Sequence, residues 1–247
     1  MSWLLHNVRP RLRFAVRNPI YTAKALVREL TRADEHELSR LTSVPIGSIR
    51  SFLNEPLQNE AFASCLLAAR EAFATAEVES ADLYAKKILV QYAAIRALAP
   101  DVVVETGVAS GVSTSYLLFA LQQNRRGALY SIELGDARYL PPGKSPGWIV
   151  PSWLTSRWSL RLGDSRELLP ELLGRLDKID VFVHDSLHSH EHMLWEFRTA
   201  YPHLRPGGLL LSDDAGWNTA FSDFTAEVRA ENAAILRGVG FLQKRAP

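Results

Sequence analysis

Residues 103–114 read Val103-Val104-Glu105-Thr106-Gly107-Val108-Ala109-Ser110-Gly111-Val112-Ser113-Thr114. A short apolar run ends in an acid, two glycines turn the chain, and a helical stretch begins at about Ser113. In a doubly wound sheet ligands bind outside the carboxyl ends of the strands, and glycines there let a backbone come close where side chains would not. The segment is therefore read as the first strand, turn and helix of an α/β domain with a ligand at the turn. A tight turn that holds nothing is the plain alternative.

Outward from this point the alternation continues. Ala128–Glu133, Ser159–Leu162, Ile179–His184 and Gly208–Ser212 read as further strands, separated by helices near Ser165–Arg175 and His190–His203. Largely apolar strands joined by helices predict a parallel sheet covered on both faces. The tail departs from this pattern. Ala234–Arg237 and Phe241–Lys244 flank Gly-Val-Gly and read as an antiparallel hairpin. The expected fold is α/β: a Rossmann-like, doubly wound, seven-stranded, mostly parallel sheet with a C-terminal antiparallel hairpin.

Before Asp101 the character is helical. Phe62, Leu66, Ala69 and Phe73, then Tyr84, Ile88, Tyr92, Ile95 and Leu98, recur at helical spacing, while Pro19, Pro45 and Pro56 are expected to break shorter helices. Residues 1–78 are taken as an N-terminal helical extension and 79–247 as the α/β domain. The apolar faces of the extension exceed what the sheet alone would bury, so a homodimer or higher homo-oligomer is expected.

Composition excludes several classes. Of 247 residues, 47% are hydrophobic and 22% charged, enough for a packed core, and the net charge of +1 gives no global pull toward nucleic acid. A lone cysteine, Cys65, makes no internal disulfide and suits a cytoplasmic setting. No run approaches the length of a transmembrane helix, and the first ten residues lack a secretory pattern. Arg9, Arg11, Arg13, Arg17, Lys24 and Arg28 are interleaved with Trp3, Leu4, Leu5, Leu12, Phe14 and Tyr21. This arm reads either as a solvated helical edge or as a peripheral contact with an anionic membrane face.

The turn after the first strand also discriminates between ligands. The dinucleotide fingerprint brings a pyrophosphate to a helix N-terminus through G-x-G-x-x-G, but here Ala109 replaces the second glycine and Glu105 carries a negative charge near the site. That charge repels pyrophosphate and suits S-adenosylmethionine, which carries an ammonium and a sulfonium. The segment resembles the first motif of class I S-adenosylmethionine-dependent methyltransferases, in the E-x-G-x-x-x-G form of catechol O-methyltransferase relatives. An NAD-dependent oxidoreductase is the rival. Glu133, ending the second strand, is placed to accept from ribose hydroxyls. The resemblance assigns Asp164, with Ser165, to the adenine; the alternative for Asp164 is a helix cap. The donor site is thus expected at Glu105, Gly107, Ala109, Ser113, Glu133, Asp164 and Ser165.

The chemistry is expected one strand further along. Val181-Phe-Val-His-Asp-Ser-Leu-His-Ser-His-Glu-His-Met193 and Leu209-Leu-Leu-Ser-Asp-Asp-Ala-Gly-Trp-Asn218 end neighbouring strands about 5 Å apart. Asp185, Asp213 and Asp214 should converge there, and a hard cation such as magnesium relieves their repulsion; caps or surface charges are the alternative. His188 could reach a bound hydroxyl as a base or be structural, while His190 and His192 read as the first turn of a solvated helix. His-Asp-Ser-x-His-Ser-x-Glu followed by Leu-Arg-Pro-Gly-Gly-Leu-Leu-Leu-Ser-Asp-Asp is similar to the bacterial family of macrocin O-methyltransferase and cephalosporin-hydroxylase-like proteins, over roughly Leu83–Lys244. The resemblance implies that Asp185, Asp213 and Asp214 hold magnesium; Asp185 and His188 are taken as the catalytic residues of a methyl transfer to a hydroxyl. It ranks a sugar or glycan acceptor before a phenol or catechol. An inactive binding scaffold is the non-enzyme alternative. Leu187 departs from the acid that many relatives carry. Between the second and third strands, Trp148, Trp153 and Trp158 could face an acceptor, form a lid, or cover the sheet.

Overall fold

The computed structural model describes residues 32–75, 86–136 and 140–245. The basic arm, Pro19, Tyr84 and Tyr139 lie outside them. Among the described residues four helices come first: α1 (Ala33–Thr42), α2 (Ile46–Gln58), α3 (Glu60–Thr75) and α4 (Lys86–Leu98). Then follow β1 (Val102–Thr106), α5 (Val112–Asn124), β2 (Ala128–Glu133), β3 (Trp158–Leu162), α6 (Ser165–Leu176), β4 (Ile179–His184), α7 (His190–Ala200), β5 (Leu204–Ser212), α8 (Ala220–Glu227), β6 (Ala233–Leu236) and β7 (Val239–Gln243).

The seven strands form one sheet in the order β3-β2-β1-β4-β5-β7-β6. The first five pair in parallel, and β7 runs antiparallel to both β5 and β6. Strand order reverses between β1 and β4, which is where a doubly wound sheet opens a crevice at its carboxyl edge. β4 is buried at every position because helices cover both faces. Alternation sorts the side chains. Val103, Val181, Val183, Leu209, Leu211 and Phe241 pack with α1–α5. Val104, Phe182, Leu210 and Leu242 pack with α6–α8.

Two caps keep the carboxyl-edge loops short. Asp164 accepts from Arg166 N and starts α6 two residues after β3, while Ser189 accepts from His192 N and starts α7. The hairpin turns at Arg237-Gly238, whose φ angles of 53° and 90° fit a two-residue connection. Its register differs from the expected one because Gly240 belongs inside β7, opposite Ser212 and Ile235, and a Cβ there would strike the Phe221 ring at 2.6 Å. Pro56 does not break a helix; it lies inside the last turn of α2.

The described part of the extension is built into the core. Leu38, Leu41, Ile49, Phe62 and Leu66 are buried, in the same cluster as Tyr116 and Phe119 of α5. Phe62 stacks on Phe119 at 4.2 Å between centroids. Where they are described, the apolar faces that suggested self-association are used within the chain. Glu55 of α2 accepts from Tyr92 Oη (2.7 Å) and Arg96 Nε (2.6 Å) of α4. Arg237 in the hairpin turn reaches back to Asp34 of α1 at 2.5 Å.

Candidate functional site

The turn after β1 folds against the protein itself. Gly107 has φ +85°, donates to Ile132 O (2.9 Å), and a Cβ on it would lie 1.9 Å from the backbone oxygen of Asp185. Gly111 is crowded by Gly147 and Val150 in the same way. The glycines thus serve close packing of backbone on backbone at the strand ends, beyond any approach to a ligand. Ala109 takes a left-handed φ of 45°, and its carbonyl accepts from Gly147 N at 2.8 Å. This fixes the connection between β2 and β3 beside the turn. Within that connection Trp158 begins β3 and donates to Ser131 Oγ (2.9 Å), and Trp148 packs on the core, so these two rings cover the sheet. Trp153 is 42% exposed and its ring stands perpendicular to that of Phe119.

Successive residues of β1 face opposite ways. Glu105 is fully buried toward α5, accepting from Ser131 Oγ at 2.7 Å and Thr114 Oγ1 at 3.0 Å. Burial outweighs these hydroxyls and pushes its pKa up to about 7. Ser113 Oγ stands 3.4 Å from both Glu105 Oε1 and Asp185 Oδ2, so it links the turn to the end of β4. Glu133 ends β2 and closes on the same turn, accepting from Val108 N (2.6 Å), Ala109 N (2.8 Å) and Gly135 N (3.0 Å). A carboxylate has room for about four donors, which leaves it capacity for one more partner. Asp164 caps α6, with Ser165 following it.

At the ends of β4 and β5 the structure brings Asp185, His188 and Asp213 together, with one ligand atom of each within 4.8 Å of the others. Asp213 N donates to His184 O (2.8 Å), which pins the two strand ends to each other. Asp214 stands apart from this group. Its φ is 46°, and its carboxylate lies 3.7 Å from Lys87 Nζ. That lysine, in the first turn of α4, donates to Asp213 Oδ2 at 2.7 Å. Burial works against its charge, yet the bond to Asp213 and the fields of Asp214 and Asp185 raise its pKa. Desolvation, then the charge of Asp213, pushes Asp185 well above the usual carboxylate range. Asp213 Oδ1 and His188 Nε2 are buried and have no hydrogen-bond partner among the described residues. Two crowded carboxylates, one of them with an oxygen that has no partner among the described residues, suit a hard dication.

A buried relay of hydrogen bonds supports these groups from below. Glu196 of α7 is fully buried and accepts from His184 Nδ1 (2.6 Å), His192 Nε2 (3.0 Å), Thr106 Oγ1 (2.5 Å) and Ser186 Oγ (2.9 Å). Burial raises its pKa and the two histidines more than offset that, so it is held below the carboxylate range. His192 is therefore an interior residue and not part of a solvated turn, because four residues separate it from Glu196 on one helix face. His190 is exposed and pairs with Asp223 at 2.8 Å. His188 lies edge-on to His184 with centroids 5.3 Å apart, and burial, then the charge of His184, lowers its pKa. Its carbonyl accepts from Asn218 Nδ2 at 3.0 Å. Leu187 and Trp217, 61% and 74% exposed, stand on the two loops that this contact joins.

Sequence reasoning missed Glu196, Lys87 and Trp217. Glu196 carried a weak signal, its i+4 spacing from His192. Lys87 carried none, being 126 residues from its partner.

Comparison with known proteins agrees with this architecture. Residues 104–215 match the family described as a methyltransferase domain. Demethylmacrocin O-methyltransferase of Streptomyces fradiae is 27% identical over 101 residues, 40% of this chain. The chain spans 22% of the length of that relative. An O-methyltransferase from Bacillus cereus, solved in complex with S-adenosylhomocysteine, superposes with a TM-score of 0.56 at 15% identity, covering 79% of this chain and all of the other. The O-methyltransferase TomG from Streptomyces achromogenes, solved with S-adenosylmethionine, gives 0.56 at 16%, covering 76% and 91%. The chain has the Rossmann-like fold of class I methyltransferases.

Proposed function

From a chain with the class I methyltransferase fold and a methyltransferase-domain match over residues 104–215, we propose an S-adenosylmethionine-dependent O-methyltransferase assisted by a divalent cation. The observation that carries this reading is the meeting of Asp185, His188 and Asp213 beside the turn that links Glu105, Ser113 and Glu133. The donor is held by the carboxyl ends of β1–β3: Gly107 and Ala109 shape the turn, Ser113 lines it with Glu105 buried behind, Glu133 takes the ribose, and Asp164 with Ser165 faces the adenine. Asp185 and Asp213, with Asp214 recruited from the surface, hold magnesium or another hard cation. When bound, that ion supplies positive charge against the alkoxide that develops at the acceptor oxygen.

His188 does the proton work. Its lowered pKa keeps the imidazole neutral at neutral pH, so the unpartnered Nε2 is free to take the hydroxyl proton. The acceptor oxygen attacks the methyl carbon in line as the carbon–sulfur bond breaks, and the protein contributes mainly position and charge. The acceptor is a sugar or glycan hydroxyl. Trp217 and Leu187 offer exposed apolar faces on the loops beside the site, suited to the C–H face of a sugar. Among the described residues no helix is long and apolar enough to cross a membrane.

Asp213→Ala tests the division of labour. S-adenosylhomocysteine affinity, read by calorimetry, should stay within about twofold while methyl transfer to a sugar panel falls below detection. His188→Ala should keep the metal and slow transfer by about 10²–10⁴-fold. Turnover that survives both EDTA and Asp213→Ala defeats the metal-assisted reading. Binding of NAD with none of S-adenosylhomocysteine defeats the donor assignment.

A further inference from the structure

We propose that Lys87 is a tethered cation that competes with the divalent ion for Asp213 and Asp214 and thereby sets the metal affinity of the site. The inference rests on the metal-assisted reading above and concerns how that site is filled. Lys87 Nζ donates to Asp213 Oδ2 at 2.7 Å and lies 3.7 Å from Asp214 Oδ1. It therefore occupies one oxygen of a candidate ligand and stands against the acid that remains outside the cluster. The other oxygen of Asp213 is buried and has no partner among the described residues. With the ammonium in place, Asp213 has a single oxygen to offer. With it gone, both oxygens of Asp213 and the carboxylate of Asp214 become available, which completes the three-acid set that the sequence leads one to expect.

Charge gives the direction. The ammonium cancels one of the negative charges that a dication needs, and a dication attracts each carboxylate about twice as strongly as a monovalent ion at equal distance. Lys87 can leave without unfolding anything. Its side chain is 38% exposed, sits in the first turn of α4, and ends a flexible four-carbon stem. Because the competitor is tethered, it acts at a high effective concentration, and the apparent metal affinity falls by the fraction of molecules in which the site is free. The same contact joins α4 to the chemical centre, so metal entry releases a link between that helix and the sheet edge.

Mn²⁺ binding to the full-length protein, followed by calorimetry, tests this in the wild type, Lys87→Met and Lys87→Arg. Lys87→Met should bind Mn²⁺ at least about tenfold more tightly, and Lys87→Arg no more tightly than the wild type. Should Lys87→Met fail to fold, protein labelled with ¹³C at lysine Cε decides alone. The Lys87 resonance, identified by its absence from Lys87→Arg, should move when the wild type is saturated with Mg²⁺. Wild type and Lys87→Met binding Mn²⁺ equally, or a Lys87 resonance indifferent to bound Mg²⁺, overturns the inference and leaves the metal site standing. Absence of Mn²⁺ binding in every variant defeats the metal-assisted reading, and the inference falls with it.

Discussion

Glu105 and Glu196 are buried carboxylates on opposite faces of β1, and their neighbours drive them in opposite directions. Glu196 receives two histidines and stays ionised; Glu105 receives only hydroxyls, which do not balance burial, and its pKa rises to about 7. A carboxyl whose folded pKa exceeds its unfolded value favours the fold in its neutral form. That contribution is complete below the ordinary value near 4.5 and is lost as pH rises to about 7. Glu105→Gln removes the ionisation and keeps an acceptor for Ser131 and Thr114. Its melting temperature relative to the wild type should therefore rise between pH 5 and pH 8, measured without donor. A constant offset across that range contradicts the account. The sequence made Glu105 conspicuous because an acid before a glycine turn is chemically odd. Its partners were hidden, since Ser131 lies on another strand and Thr114 on the helix behind it. His192 was misread for a related reason: a histidine in a first turn looks solvated until the acid one turn on is known to be interior.

Elements were legible where burial on both faces leaves long apolar runs, as in β1, β4 and the core of β5. They were less so where a contact from elsewhere decides the conformation. The β1–α5 turn was recognised from Gly107 and Gly111, but for the approach of a ligand. The nearest obstacle to a side chain at Gly107 is the backbone of Asp185, at 1.9 Å. Gly107→Ala must therefore displace the end of β4 and adopt a φ of +85°. It should cost at least about 2 kcal/mol in urea unfolding, and weaken Mn²⁺ binding by shifting Asp185. Gly135→Ala is the matched control, with a φ of +79° and open space around it. It should cost only about 1 kcal/mol for the backbone conformation. Equal losses for the two variants would mean that strain, and not the contact between β1 and β4, governs this turn. The hairpin register slipped in the sequence reading for a comparable reason. Gly240 resembles a turn residue, yet it is glycine because Phe221 packs on it.

At the scale of the whole molecule, the sequence divides into a helical extension through residue 78 and an α/β domain after it, and the structure joins the two. Leu38, Leu41, Ile49, Phe62 and Leu66 share a core with Tyr116, Phe119 and the β1–β4–β5 face. Pattern reading could not show this, because amphipathic helices look alike whether they cover their own sheet or another chain. Burying one such side chain contributes roughly 1.5–3 kcal/mol. Five together are of the same order as the total stability of an ordinary domain, about 5–15 kcal/mol. A chain beginning at residue 79 also leaves Tyr92 and Arg96 without Glu55, and Arg237 without Asp34. Such a truncation should lose the cooperative thermal transition of the full chain and bind S-adenosylhomocysteine at least about a hundredfold more weakly, although every donor-site residue is retained. Circular dichroism melts and calorimetry on the full and truncated chains check this. A truncated protein that melts cooperatively within a few degrees of the full chain and keeps its donor affinity would show that the extension is an accessory layer, and that the α/β domain holds its site together without it.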